Sequence, residues 1–203
     1  MNSNIHVKLL DTEDVNRIAQ IYMSTFPKYT KSLMGIKTCC AYFNAVQAHR
    51  SYKCLIATEA SKPIGFVVLH LDRRKSMNKG WVYSSSYELF RFSITHTYFL
   101  LQRLFAVSIS RIRHIVRQLQ YSSKLPQPAY LDIIAIEEVA RRKGVARHLL
   151  KECISLAKME GLQELALTVG GWNQPAIRFY ISLGFYLHFY DKENDTCIYK
   201  IAI

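Results

Sequence analysis

"RRKGVARHLL", Arg141 to Leu150, sets three consecutive cations against a glycine and then opens an amphipathic helix. Directly before it, "AYLDIIAI" (Ala129 to Ile136) is a short apolar run rich in β-branched residues, which reads as a well-buried strand. A strand, a cationic loop and a helix start together make a natural anion cradle. The first turn of a helix exposes unpaired N–H groups at the positive end of the macrodipole. Gly144 and Ala146 suit such a cradle, because larger side chains would hold a phosphate away from those amides. The plainer alternative is a solvated basic loop ahead of an ordinary helix.

Downstream, the helix opened by the quoted stretch runs to about Glu160 with Gly161 as its cap, and "LQELALTV" is the next strand. "NQPAIRFYISLGF" (Asn173 to Phe185) is a short helix with Asn173 as its cap and Gly184 beyond its end. "YLHFYD" and "TCIYKIAI" close the chain as a hairpin around "KEND". Upstream, "IHVKLL" alternates like a strand. "DTEDVNRIAQIYMSTF" starts with Asp/Thr capping chemistry and carries apolar residues at helical spacing through Ile18, Ile21, Tyr22 and Phe26, until Pro27 ends it. A second helix is expected over about Lys31 to Arg50, and "KCLIATEA" with "KPIGFVVLHL" forms a hairpin around "ASKP".

Arg141-x-x-Gly144-x-Ala146 after a buried strand resembles the R/Q-x-x-G-x-G/A signature of the Gcn5-related N-acetyltransferases (GNAT). The Asn173–Phe185 segment is similar to that family's next motif, with Asn173, Ala176, Phe179, Tyr180, Gly184 and Phe185 in the expected places and the strand "LALTV" at the right distance upstream. The resemblance covers Ala129 to Ile203 closely and Met1 to Leu71 in element order. It implies an α/β (α+β) fold: a mixed, mostly antiparallel twisted sheet of six to seven strands flanked by helices. It also implies direct transfer of acetyl from acetyl-CoA to a primary amine in a ternary complex, with no metal.

Residue by residue, the resemblance assigns the cofactor diphosphate to the turn Arg141, Arg142, Lys143, Gly144, Val145, Ala146 and Arg147. It gives the pantetheine arm to Ile134, Ala135 and Ile136, with oxyanion donors near Ile134 and Ile136, and places Asn173 and Ala176 beside the cofactor. Tyr180 takes the family's position for the proton donor to the departing CoA thiolate. For the general base, Asp132 on the central strand is the first choice, with Glu137, Glu138 and Glu59 as alternatives. Tyr130 stands where many relatives carry Glu.

The formal charge of +12 favours an anionic partner, and bases crowd the region 72–131, where Asp72 and Glu88 are the acids. Residues 72–128 read as a basic, largely helical insertion within a single acetyltransferase domain spanning 1–203. Ile94, Tyr98, Leu101, Phe105, Ile109, Ile112, Val116 and Leu119 there step by threes and fours. Its apolar stripe leaves a homodimer contact and peripheral membrane contact open. The acceptor is expected to be a small-molecule amine or amino sugar.

A rival reading keeps the fold, with or without the cofactor, but not the chemistry, as a catalytically inactive binding module whose basic face holds nucleic acid or an anionic membrane surface. No RNA-binding signature supports the nucleic-acid form. Five cysteines without a CxxC pair, and histidines without HxxxH or HExxH spacing, disfavour a disulfide framework and a metal site. With no spanning helix or signal peptide in the sequence, a cytoplasmic protein is expected.

Overall fold

The computed structural model describes residues 5–72, 75, 77 and 128–203. Apart from its two ends, the insertion expected over 72–128 lies outside the described residues. Seven described strands form one mixed sheet: β1 Ile5–Leu9, β2 Tyr52–Glu59, β3 Lys62–His70, β4 Ala129–Ile136, β5 Glu164–Gly170, β6 Tyr186–Asp191 and β7 Thr196–Ala202. Their spatial order is β1-β2-β3-β4-β5-β7-β6, and β4 with β5 is the parallel pair in an otherwise antiparallel ladder. A parallel pair needs a crossover. That crossover is α4, Val145–Met159, the helix that begins in the quoted stretch.

Strands β2 and β3 are buried almost throughout because helices cover both faces of the sheet. Leu55, Val67, Leu131 and Leu167 pack under α4 and α5 (Gln174–Ile181), where Leu149, Leu150 and Cys153 meet them. Ile56, Phe66, Val68 and Ala135 face the other way, against Ile18, Tyr22, Phe43 and Val46 of α1 (Val15–Thr25) and α3 (Ile36–Ala48). The β2–β3 connection is a two-residue turn in which Ala60 and Ser61 both take positive φ, 48° and 64°. Turns of that twist match the twist of a hairpin.

Two sequence expectations need correction. The single helix expected over 31–50 is two, α2 at Thr30–Leu33 and α3, because Gly35 at φ 97° and ψ 176° breaks the helical path. The Asp/Thr segment does not cap α1 directly. Thr12–Asp14 form a 3-10 turn, Asp11 makes no side-chain cap, and Lys8 Nζ lies 2.8 Å from the carboxylates of both Asp11 and Asp14. The end of α4 follows the expected chemistry. With Gly161 at φ 74°, Leu162 N–H donates to Ala157 C=O at 3.0 Å and Gly161 N–H to Lys158 C=O at 2.9 Å.

All five cysteines are free thiols; Cys39, Cys54, Cys153 and Cys197 are buried and Cys40 is half-buried. No described helix is long and apolar enough to cross a membrane. The packing makes a contrast in stability. Phe66 is fully buried, with its ring edge-on to Phe43 at 5.1 Å, so Phe66→Ala should cost about 3–5 kcal/mol in urea denaturation. Met159→Ala, at a residue 81 % exposed, should stay within about 0.5 kcal/mol. Equal losses from the two would contradict the assigned core.

Candidate active site

Strands β4 and β5 pair over three residues only: Ala129 with Leu165, Tyr130 with Ala166, and Leu131 with Leu167. Beyond that point β5 stays with β7 through Gly170, while β4 stays with β3 through Ile136. The two strands therefore part in a fork. On β4 the change coincides with a bulge, since Leu69 pairs with Leu131 and Val68 with Ile133, which leaves Asp132 as the extra residue. The bulge also switches faces. Ala129 and Leu131 point towards α4 before it and Ile134 and Ile136 after it, while Ile133 and Ala135 point towards α1 and α3. At the vertex, the hydroxyls of Tyr130 and Thr168 hydrogen-bond across the two strands.

Amide direction along β4 follows from one bond past its end. Glu137 N–H donates to Ile64 C=O of β3 at 2.8 Å. Successive amides of an antiparallel ladder point to opposite edges, so the N–H groups of Ile136 and Ile134 face the fork and that of Ala135 faces β3. Of the three expected strand residues, the structure thus places two at the opening and Ala135 in the core, 2 % exposed.

The open end of the fork leads to the quoted turn. A 3-10 turn at Glu138–Ala140 is followed by Arg142 at φ 62° and Gly144 at φ 82°, and then α4 begins. The first helical bond is His148 N–H to Gly144 C=O at 3.1 Å. The amides of Val145, Ala146 and Arg147 have no hydrogen-bond partner among the described residues, and no side chain caps them. A Cβ built on Gly144 would meet nothing nearer than His148 Nδ1 at 3.9 Å, so the space beside the turn at Gly144 is open. Its left-handed φ favours glycine there. Arg141 turns back, its Nε donating to Ile136 C=O at 3.2 Å, and braces the turn against the end of β4. Lys143 Nζ lies 4.0 Å from Glu59, and Arg142 and Arg147 are exposed.

On the same face, α5 starts at Asn173, whose Oδ1 accepts Ala176 N–H at 3.3 Å. It ends at a reversal in which Phe185 N–H donates to Tyr180 C=O at 3.1 Å around Gly184, φ 92°. That reversal holds the Tyr180 ring against Phe185 at 5.7 Å, with Phe179 at 5.5 Å. Tyr180 is 6 % exposed, and burial pushes its phenol up to about 12. It shares one apolar cluster with Leu149 and Leu167, and Ile134, Ile136 and Ala176 pack against that cluster.

The carboxylates named as base candidates separate by partner. Glu137 accepts from Arg17 Nη2 at 2.6 Å, and Arg17 Nε also reaches Pro63 C=O at 3.4 Å, so this pair clamps α1 to the β3–β4 edge. Glu59 faces Lys143, and Glu138 is exposed on the 3-10 turn. Asp132 stands at the fork on the α1–α3 side, its side chain 28 % accessible, with Oδ2 4.0 Å from His70 Nδ1. Nearby, the Lys31 ammonium lies 4.3 Å over the Tyr42 ring and 5.7 Å over that of Tyr22. Burial lowers the pKa of Lys31 and raises those of both phenols, and Lys31 and Tyr42 lie within electrostatic reach of Asp132. Sequence reasoning missed His70, Lys31 and Tyr42. His70 is opposite Tyr130 at the end of β3, a position legible only once register and bulge are known.

The model of the acetyltransferase (GNAT) family matches residues 15–185. Solved structures share the architecture. The PaiA N-acetyltransferase from Thermoplasma acidophilum, in complex with coenzyme A, aligns with 98 % of this chain and 99 % of its own at 16 % identity and a TM-score of 0.59. YncA from Salmonella typhimurium, with its cofactor acetyl-CoA, aligns over 99 % and 94 % at 15 % identity and TM-score 0.59. An N-acetyltransferase from Staphylococcus aureus Mu50 aligns over 98 % and 99 % at 17 % identity and TM-score 0.59. At these identities the likeness is one of fold. No curated protein sequence matches the chain. With the family model covering most of its length, the chain belongs to the GNAT acetyltransferase family.

Proposed function

We propose that this protein transfers an acetyl group from acetyl-CoA to a primary amine, a small molecule or amino sugar, by direct attack in a ternary complex within one domain. The observation that carries the reading is the fork between β4 and β5, which opens onto the unpartnered amides of Val145, Ala146 and Arg147. An extended chain with amides along it and a diphosphate at one end fits both parts. The pantetheine arm adds to β4 as a strand would, and the diphosphate takes the helix start. Arg142, Lys143 and Arg147 add cationic attraction around the turn, Arg141 and Gly144 shape it, and Asn173 and Ala176 border the arm at the start of α5.

In this arrangement the N–H groups of Ile134 and Ile136 polarise the thioester carbonyl. Asp132, on the opposite side of the sheet from α4, takes a proton from the incoming ammonium so that nitrogen attacks as a free amine. Tyr180 serves the leaving thiolate. A phenol at about 12 is a weaker acid than an ordinary thiol near 8.5, so it stays protonated and donates a hydrogen bond rather than surrendering its proton outright. The thiol's own proton then comes from the nitrogen of the tetrahedral intermediate. A binding module that had lost the cofactor would have no use for an open fork ending in unpaired amides, and one that kept it without the chemistry would bind acetyl-CoA and release no thiol.

The direct test is release of CoA thiol on a panel of free amines, nucleotide-linked amino sugars and peptides. Transfer to none of them would remove this reading. Gly144→Glu should weaken acetyl-CoA binding by about 100-fold or more in calorimetry, since the carboxylate would face the phosphates. Gly144→Ala places a methyl group in open space and so should keep most of the affinity while losing about 1 kcal/mol of stability to its left-handed φ.

Tyr180→Phe should lower kcat by about 10- to 100-fold, the worth of a hydrogen bond to a charged group, while leaving acetyl-CoA affinity within about two-fold. Because a phenol raised to about 12 stays protonated at lower pH, the ratio of wild-type to variant kcat should remain flat from neutral pH to about pH 10. A ratio that fell across that interval would mean that Tyr180 ionises there.

A further inference from the structure

His70 is 4 % exposed, yet both of its ring nitrogens face acceptors. Nε2 lies 3.2 Å from the Lys75 main-chain oxygen, and Nδ1 lies 4.0 Å from Asp132 Oδ2. Both neighbours can only accept, and of the two the Lys75 carbonyl alone lies within hydrogen-bond distance, so the proton of the neutral ring is assigned to Nε2. Nδ1 is left as a bare lone pair aimed at a carboxylate. A proton added to Nδ1 would point at that carboxylate oxygen, and closing by about 1 Å would give an ordinary hydrogen bond between them. Tyr52 stacks flat on the imidazole, with ring centroids 4.0 Å apart and planes 13° apart, and fixes its orientation.

We propose that His70 is the proton store behind Asp132, a positioning residue that substrate does not touch. The proposal rests on the reading of Asp132 as the group that meets the acceptor amine. The acceptor ammonium gives one proton to the Asp132 carboxylate, which passes it to Nδ1 of His70. The freed nitrogen lone pair forms the C–N bond at the thioester carbon, and the C–S bond breaks. The second nitrogen proton ends on the CoA thiolate, and the proton held by His70 returns to solvent. Two protons leave the nitrogen, one kept by the thiol and one released.

Groups from several elements surround the pair. Asp132 comes from β4, Tyr52 from β2, Tyr42 from α3 and Lys31 from α2, while His49 stands edge-on to Tyr52 at 5.3 Å. The ring is shielded from bulk water by its burial, and the Asp132 carboxylate is the route between it and the fork. The chain ends β3 with this histidine and puts the extra residue of the β4 bulge beside it, so the dyad follows from the register shift that coincides with the fork.

The test separates anchoring from proton acceptance. His70→Gln keeps an N–H donor for the Lys75 carbonyl and removes the basic nitrogen, so the fold and acetyl-CoA affinity should hold while kcat/KM at neutral pH falls by about 10- to 100-fold. His70→Gln combined with Asp132→Asn should be no slower than Asp132→Asn alone, as for two groups in one relay. An unchanged kcat/KM in His70→Gln, or losses that add in the double variant, would overturn the proposal.

A substrate-free reading comes from nitrogen NMR of histidine-labelled protein, with His70 assigned by its loss in His70→Gln. The neutral ring should carry its proton on Nε2, and a proton on Nδ1 would sink the relay. Should the amine panel show no transfer at all, the acetyltransferase reading fails, and with it the relay, whatever tautomer the ring adopts.

Discussion

A strand that loses its neighbour halfway along must leave backbone groups unpaired along that edge, and β4 does so at the N–H groups of Ile134 and Ile136. An unpaired buried N–H costs about 1–3 kcal/mol, so such an edge persists only where the rest of the fold holds it open and water or a ligand can reach it. Here the holding is visible on every side. β3 keeps the other edge of β4 in register to Ile136, β7 draws β5 away through Gly170, and the Tyr130–Thr168 hydroxyl bond sets the vertex. Arg141 ties the far end of the opening back to the Ile136 carbonyl.

The bulge at Asp132 gives the two faces of the sheet different duties. By inserting one residue it turns Ile134 and Ile136 towards the α4–α5 layer and sends Asp132 to the α1–α3 layer, beside His70. On the proposed reading, cofactor-handling groups and amine-handling groups therefore meet at one short stretch of strand. The Arg17–Glu137 pair reinforces this by fastening α1 to the residue that follows β4. A loss of packing in the N-terminal helices would then be felt at the fork itself.

Much of this was legible in the sequence. The β-branched run of β4, the Gly144 turn, the Asn173 cap and Gly184 are local signals, and local signals read well because capping and left-handed φ depend on few neighbours. The sheet class, mixed and mostly antiparallel with six to seven strands, followed from the family resemblance, while the strand order came from the structure. What stayed hidden was long-range. His70 is an ordinary end residue of a strand until pairing with β4 is known, and Lys31 is an ordinary surface cation until Tyr22 and Tyr42 close around it. Gly35, whose break split α3 from α2, stood in the sequence as a plain warning inside a helical pattern. Asp11 and Asp14 read as capping chemistry because the sequence does not show that Lys8 reaches both.

The cysteines acquire a meaning in this setting. A protein that brings a thioester into its interior risks having its own sulfur intercept the acyl group, and the species that would do so is the thiolate. Burial, the first cause at each of the five, raises every thiol above its usual range, Cys39 to about 12. Each therefore rests in its protonated, unreactive form near neutrality, and the scaffold is chemically silent towards the electrophile it is proposed to carry.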